Sequence, residues 1–228
     1  MSIFKVHETY QELKRYGQIV RVLVRYGFGD LLQRVKVNHA ARQRVLTIKT
    51  QALKNLTTPE RLRLAFEELG PAFIKFGQVL SSRPDVLSAE FVKELSKLQD
   101  HVPPFPFSDA KALIESQFGC PLTEVFDDFE EEPLAAASLA QVHRARTKTG
   151  DEVAVKVQRP GIGSIIETDI RILRDLASLC QRHWPESRHY EPVQIVDEFA
   201  RMIRRELDYI REGRNLQRFG KFFADDET

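Results

Sequence analysis

Three prolines in five residues, Val102-Pro103-Pro104-Phe105-Pro106, set the strongest constraint on how this chain can fold. Proline fixes φ, lacks a backbone donor and pushes the preceding residue out of the helical region, so no helix can run through the segment. The segment is expected to be a rigid extended connector, dividing the chain into residues 1–107 and 108–228. The hydrophobic pattern also differs between the two parts. Upstream, Leu62, Ala65, Phe66 and Leu69 recur at spacings of three and four, which predicts a helix over 59–69 ended by Gly70-Pro71. A second helix follows at once through Phe73, Phe76, Val79 and Leu80 and stops before Arg83-Pro84, and Phe91, Leu95 and Leu98 mark a third.

Downstream, Ser108 is placed to cap a short helix containing Leu113 and Ile114 and closed at Gly119. From about residue 125 the pattern becomes extended. Residues 141–146, the turn Lys148-Thr149-Gly150-Asp151 and residues 152–157 predict a β-hairpin with Val153, Val155 and Val157 on one face. Arg159-Pro160-Gly161 ends it. Two long helices are expected next, one through Ile165, Ile166, Ile170, Leu173, Leu176 and Cys180, the other from about Pro192 through Val196, Phe199, Ile203, Leu207 and Ile210. The fold class is therefore α+β, with helices, a short antiparallel sheet, then helices.

With 228 residues, 42% hydrophobic and 29% charged, the chain can build a sizeable core, which excludes disordered and collagen-like classes. Two cysteines, Cys120 and Cys180, are too few for a disulfide framework and fit a reduced compartment such as the cytoplasm. Cys180 and His183 form a lone C-x-x-H, short of the ligands a metal site needs. Charge interrupts every apolar run before the roughly 20 residues that span a bilayer, and the N-terminus does not have the pattern of a signal peptide. The net charge of +1 hides a segregation: residues 1–50 carry +7 and the remainder −6. A basic leading segment suggests an anionic partner. Its stretch Ile19-Val20-Arg21-Val22-Leu23-Val24-Arg25-Tyr26 suits a helix docked on its own domain or one lying on a lipid surface. Nucleic acid is set aside, because no stacking platform or reading motif accompanies the charge.

Three constellations carry candidate chemistry. The first is Ala135-Ala136-Ala137-Ser138, leading into Leu139-Ala140-Gln141-Val142-His143, with Lys156 on the next strand in Val153-Ala154-Val155-Lys156. A tight loop of small side chains followed by a strand lysine is the layout that covers nucleotide phosphates in protein kinases. The loop has no glycine, so it lacks easy access to positive φ, and ordinary kinase geometry is not expected. The second is Lys75-Phe76-Gly77-Gln78, where Lys75 and Gln78 share a helical face and Gly77 leaves room for a backbone or ligand. The third is Glu206-Leu207-Asp208 with Glu212 one turn later. On a regular helix Glu206 and Asp208 diverge by about 200°, so both enter one pocket only if the helix is distorted.

In this order, K-x-G-Q, the alanine-rich loop, V-A-V-K and E-x-D, the chain resembles the N-terminal part of the UbiB family of atypical protein-kinase-like proteins. The resemblance implies a helical extension that folds over a nucleotide pocket, followed by a kinase-like small lobe. Lys75 and Gln78 would face Glu206 and Asp208 across that pocket, and Glu212 would pair with Lys156. It further implies ATP and Mg²⁺ as cofactors and a kinase-like ATPase that supports ubiquinone biosynthesis, cytoplasmic and peripheral at the inner membrane. Candidate partners are an anionic membrane surface or quinone-biosynthesis proteins, and a second copy of the chain. The alternative is a non-catalytic module, nucleotide-responsive or structural. Phosphoryl transfer by this fold also needs an Asp and Asn on a catalytic loop and an Asp-x-Gly for Mg²⁺. The asparagines are Asn38, Asn55 and Asn215 alone, and no Asp-x-Gly occurs. The expectation is a truncated family member without the large lobe, inactive by itself.

Overall fold

The computed structural model describes residues 3–29, 55–99 and 102–223. The part of the basic leading segment beyond residue 29 lies outside the described residues. Helix α1 (Ile3–Arg25) buries Ile19 and Val22, with Tyr16 and Leu23, and Tyr26 just past its end, partly buried against the same core. Of the two expectations for this stretch, docking on its own domain is what the structure has. Helix α2 (Thr58–Leu69) starts at a capping box that the periodicity did not reveal. Thr57 Oγ1 accepts from the Glu60 N–H, and Glu60 accepts from the Thr57 N–H at 2.7 Å, which holds the Glu60 carboxyl below its usual range. Gly70, at φ 91°, ends α2 and opens α3 (Pro71–Ser81) in one residue. That φ is open to glycine without strain, and Pro71 then occupies the first helical turn. Helix α4 (Ala89–Leu95) completes the upstream group.

Helix α5 (Phe107–Phe118) closes at Gly119 in the left-handed region, whose N–H donates to Glu115. Ser108 does not cap it. The N-cap is Pro106, with no side-chain bond, because the proline-fixed backbone starts the helix two residues before a Ser108 cap would and leaves Ser108 inside the first turn. A short α6 (Leu122–Val125) leads into β1 (Phe126–Phe129).

In the sheet, β3 (Ala140–Thr147) is central. It pairs antiparallel with β4 (Glu152–Gln158) along one edge and with β1 and β2 (Ala135–Ala136) along the other. The β3/β4 register sets Gln141 opposite Val157, His143 opposite Val155 and Ala145 opposite Val153. Strand alternation thus gives one face to the valines and the other to Lys156, opposite Val142. The valine face closes a small core with Phe105, Ala110, Ile114, Leu122 and Phe126.

Two helical stretches follow, and the second is broken. Helix α7 (Ile162–His183) leads through a 3₁₀ turn (Pro185–Tyr190) to α8 (Pro192–Glu206), and α9 (Tyr209–Phe222) starts anew after Leu207 and Asp208. The expected single helix through Ile210 ends four residues early, because the Asp208 carboxylate accepts from the Arg211 N–H at 3.0 Å and caps a new helix. The larger core draws on both sides of residue 107. Phe66, Phe73, Phe76 and Leu95 pack with Ile166, Ile170, Phe199 and Ile203, and Phe76 meets Phe199 edge-on at 5.2 Å. Among the described residues, no helix is long and apolar enough to cross a membrane.

One buried charge joins these helices. Asp169 of α7 has 0% exposure and accepts from Arg15 Nε and Nη2, each at 2.7 Å, while Nη2 also donates to the Leu69 carbonyl. Burial pushes the Asp169 carboxyl above its usual value, and Arg15 opposes that shift. A raised folded-state value adds stability in acid and loses it as pH rises through that value. Arg15→Leu leaves the raising influence unopposed. Urea unfolding should then show a loss of about 3–5 kcal/mol near neutral pH, shrinking toward the ordinary carboxylate range as Asp169 protonates. A deficit independent of pH would mean that Arg15 acts by packing alone.

Candidate functional site

Lys156 projects from the sheet face opposite the valines, toward the first turn of α9. Its Nζ lies 2.9 and 3.0 Å from the two Glu212 oxygens and 4.7 Å from the centroid of the Tyr209 ring. Asp208, as N-cap, fixes where that turn begins, and Gln158 at the end of β4 donates to the Leu207 carbonyl at 3.3 Å. The break between α8 and α9 thus holds Glu212 against Lys156. The pair is half exposed, 41% and 46%, so its energetic value is orientation more than stability.

Glu206, the last residue of α8, is met by Lys75 of α3 at 3.1 Å. A lysine from the helical extension therefore reaches the same break that positions Glu212. Glu206 and Asp208 are no longer on one helix, so the divergence expected of a regular helix does not apply. Asp208 turns back onto the Arg211 N–H. Gln78 does not share the Lys75 contact: its amide donates to the Leu98 carbonyl at 3.1 Å. Gly77 leaves room neither for backbone nor for ligand. A Cβ there would stand 2.3 Å from Leu98 Cδ1 and 2.8 Å from Phe66 Cδ2, so the glycine lets two core side chains close over the helix.

The alanine loop begins as strand: Ala135 and Ala136 form β2, and Ala137 and Ser138 enter the tight turn after it. The Ala137 N–H donates to the Ala140 carbonyl at 2.8 Å, and Ser138 is buried. Its closure uses no positive φ, since the sole non-glycine residue with positive φ among the described residues is Glu191. The loop thus reaches its shape by a route open to alanine. An open cavity of about 390 Å³ lies beside the site, lined by Lys156, Arg205, Glu206, Arg211, Glu212 and Asn215. Three of these are cations, and both carboxylates are engaged by lysines.

Three residues here escaped the sequence analysis. Tyr209 supplies the ring beneath Lys156, and its hydroxyl is buried without a hydrogen bond to any described group. Burial, with Glu212 and Glu206 nearby, pushes its pKa up to about 12, so the phenol is neutral at physiological pH. Gln141 and Arg159 tie the proline connector to the sheet. Gln141 Oε1 accepts from the Phe105 N–H at 3.0 Å and its Nε2 donates to the Phe105 carbonyl at 3.3 Å. The same Nε2 lies 2.8 Å from His143 Nε2, which assigns the His143 proton to Nδ1, 2.8 Å from the Glu130 carbonyl. The sequence signal for all three was proximity to a motif, which carries no direction by itself. Elsewhere, no ligand set including Cys180 and His183 is found among the described residues: His183 Nδ1 faces the Leu179 carbonyl, and burial raises the Cys180 thiol.

The ABC1 atypical kinase-like domain matches residues 97–228. The chain belongs to the ABC1 family of atypical kinase-like proteins. Curated relatives named Probable protein kinase UbiB agree with that placement. The one from Aeromonas salmonicida is 41% identical over 220 residues, 95% of this chain and 40% of its own length. That from Pseudomonas putida W619 is 43% identical over 219 residues, 94% of this chain and 41% of its own. The chain thus spans about 40% of the length of these ABC1 relatives. A solved structure, the complex of Rv3197 and erythromycin from Mycobacterium tuberculosis, is 30% identical with a TM-score of 0.48, covering 70% of this chain and 40% of that one. The match to the ABC1 domain begins at residue 97, so it takes in the proline connector as well as the sheet and the later helices.

The Lys75–Glu206 contact is testable directly. The two side chains are 19% and 40% exposed, so a double-mutant cycle with Lys75→Ala and Glu206→Ala should give a coupling of about 0.2–1 kcal/mol, falling with salt. Coupling near 3–5 kcal/mol would instead mark a desolvated pair.

Proposed function

We propose that this chain forms the nucleotide-binding part of an ATP-binding atypical kinase-like protein that supports ubiquinone biosynthesis. The observation that carries the reading is the ion pair between Lys156 and Glu212, with the alanine loop opening onto the same sheet. Glu212 orients the ammonium toward a cavity rich in cations, which suits the phosphates of a nucleotide. In that reading Lys156 binds the α- and β-phosphates, the loop over Ala135, Ala136, Ala137 and Ser138 covers them, and Lys75 with Glu206 bounds the pocket from the extension. ATP would supply the phosphoryl group. The ubiquinone connection and action at a membrane surface are what the resemblance to the UbiB family implies.

The pocket fits a polyphosphate better than it fits a metal. Among the described residues no group of three or more His, Cys, Asp or Glu side chains could hold a cation, Glu206 is taken up by Lys75, and Asp208 caps α9. No step is therefore assigned to Mg²⁺ through these residues. Holding a γ-phosphate in line with an acceptor requires groups on two sides of a cleft, and this chain contributes one side.

The test is ATP titration monitored by amide chemical shifts. Lys156→Ala should weaken binding at least tenfold, the scale expected for loss of a charge-assisted bond. It should change folding stability by no more than about 1 kcal/mol, because the ion pair is half exposed. The chain alone should show no ATP hydrolysis above that variant. Unchanged affinity returns Lys156 to a solvated strand position. Turnover that Lys156→Ala abolishes would show that the chain holds a complete site.

A further inference from the structure

Arg159 follows β4 and lies where the connector, the alanine loop and the sheet meet. Its backbone N–H donates to the Leu139 carbonyl at 2.9 Å. Its Nη2 donates to the Pro103 carbonyl at 2.9 Å and reaches the Ala137 carbonyl at 3.4 Å. The guanidinium carbon stands 5.3 Å from the centroid of the Phe105 ring. Phe105 is in turn gripped at both backbone groups by Gln141. A single cation thus bridges the proline connector of the helical extension to the loop assigned to the phosphates.

This bridge has a directional consequence. The peptide unit is planar and trans, so the Ala137 carbonyl and the Ser138 N–H point in opposite directions. Anchoring the carbonyl on Arg159 fixes the Ser138 N–H. A glycine-free loop has few other conformations to choose from, and its turn is already closed by the Ala137 to Ala140 bond. The guanidinium suits this task because Nη2 alone carries two N–H groups and meets both carbonyls while the planar group lies over the Phe105 ring. A lysine offers a charge without that planar face.

We propose that Arg159 is a positioning residue that couples the helical extension to the alanine loop. By anchoring the Ala137–Ser138 peptide against the connector, it lets docking of the extension set the loop geometry that receives nucleotide phosphates. This rests on the nucleotide reading above, and it adds a residue outside the four motifs. It also assigns the proline connector a role: rigidity at Pro103 keeps the second acceptor of Arg159 in place.

The experiment compares the whole chain with Arg159→Ala, Arg159→Lys and Ile114→Ala, the last removing a buried side chain from the small core. Two readouts are taken: hydrogen exchange at the Ala137 amide without nucleotide, and ATP affinity by amide shifts. Arg159→Ala should speed exchange at Ala137 and weaken ATP by about tenfold. Arg159→Lys should be intermediate in both, and it carries the test if the alanine variant does not fold. Ile114→Ala should lower the melting temperature without selectively affecting either readout. The proposal is overturned if the Arg159 variants leave both readouts unchanged, or if Ile114→Ala moves both as far at equal stability. Should Lys156→Ala leave ATP affinity intact, the nucleotide reading fails. The exchange result would still decide whether Arg159 braces the loop.

Discussion

Asp169 has no exposed surface, and its charge can be kept there because Arg15 reaches it from the first helix with two hydrogen bonds. An unpaired carboxylate at that depth would be a large penalty, so the interaction specifies which helices lie together. Arg15 also takes up the Leu69 carbonyl at the end of α2, next to the glycine that turns the chain into α3. One guanidinium thereby fixes α1, the α2/α3 corner and α7. The position of α3 decides where Lys75 emerges, and α7 carries α8 to the break at Leu207. The geometry of the site thus depends on a charge pair formed by residues outside it.

Much of this was legible in the sequence, and the legible part has a common character. Elements with strong period or hard stops were readable: the α2 and α3 pair around Gly70-Pro71, the hairpin of β3 and β4, and the closure of α5 at Gly119. Each is decided by residues within a few positions of one another. The motifs that carried the family resemblance were readable in the same way, as short runs in a fixed order. What the sequence hid was set by partners far away. Gly77 has the look of a ligand opening, yet its neighbour is Leu98, 21 positions on, a fact of packing and not of local pattern. Arg159 looks like a strand terminator, and only the return of the connector makes it a bridge. The helix break was concealed differently. Asp208 sits within an unbroken apolar rhythm, and its preference for the cap won over continued periodicity.

The small core around the valine face shows how buried polarity can be held without charge. Gln141 and His143 are both buried, and each spends its donors and acceptors on fixed partners, the Phe105 backbone and the Glu130 carbonyl. Such a network is stabilising only when complete, so it selects one register for the connector against the sheet. That register sets the place of Pro103 and Phe105, and hence the surface Arg159 rests on. Meanwhile α9, apart from the half-buried Tyr209 at its start, keeps its side chains exposed or partly exposed and is placed by its cap and by the Lys156 contact. A rigid sheet thus faces a lightly held helix across the candidate site.

The long reach of Arg15 also bears on how the protein is made. Arg15 and Asp169 are 154 positions apart, and Glu12 meets Arg171 across 159. On a ribosome adding roughly 5–20 residues per second, α1 would emerge some 8–30 s before the segment that completes its burial. During that interval Ile19 and Val22 lack the α7 side of their pocket. The nascent chain would carry an amphipathic, basic helix with its apolar stripe incompletely covered, a form that chaperones and lipid headgroups recognise readily. A contact that secures the finished fold therefore gives the growing chain a period in which its first helix is open to other partners.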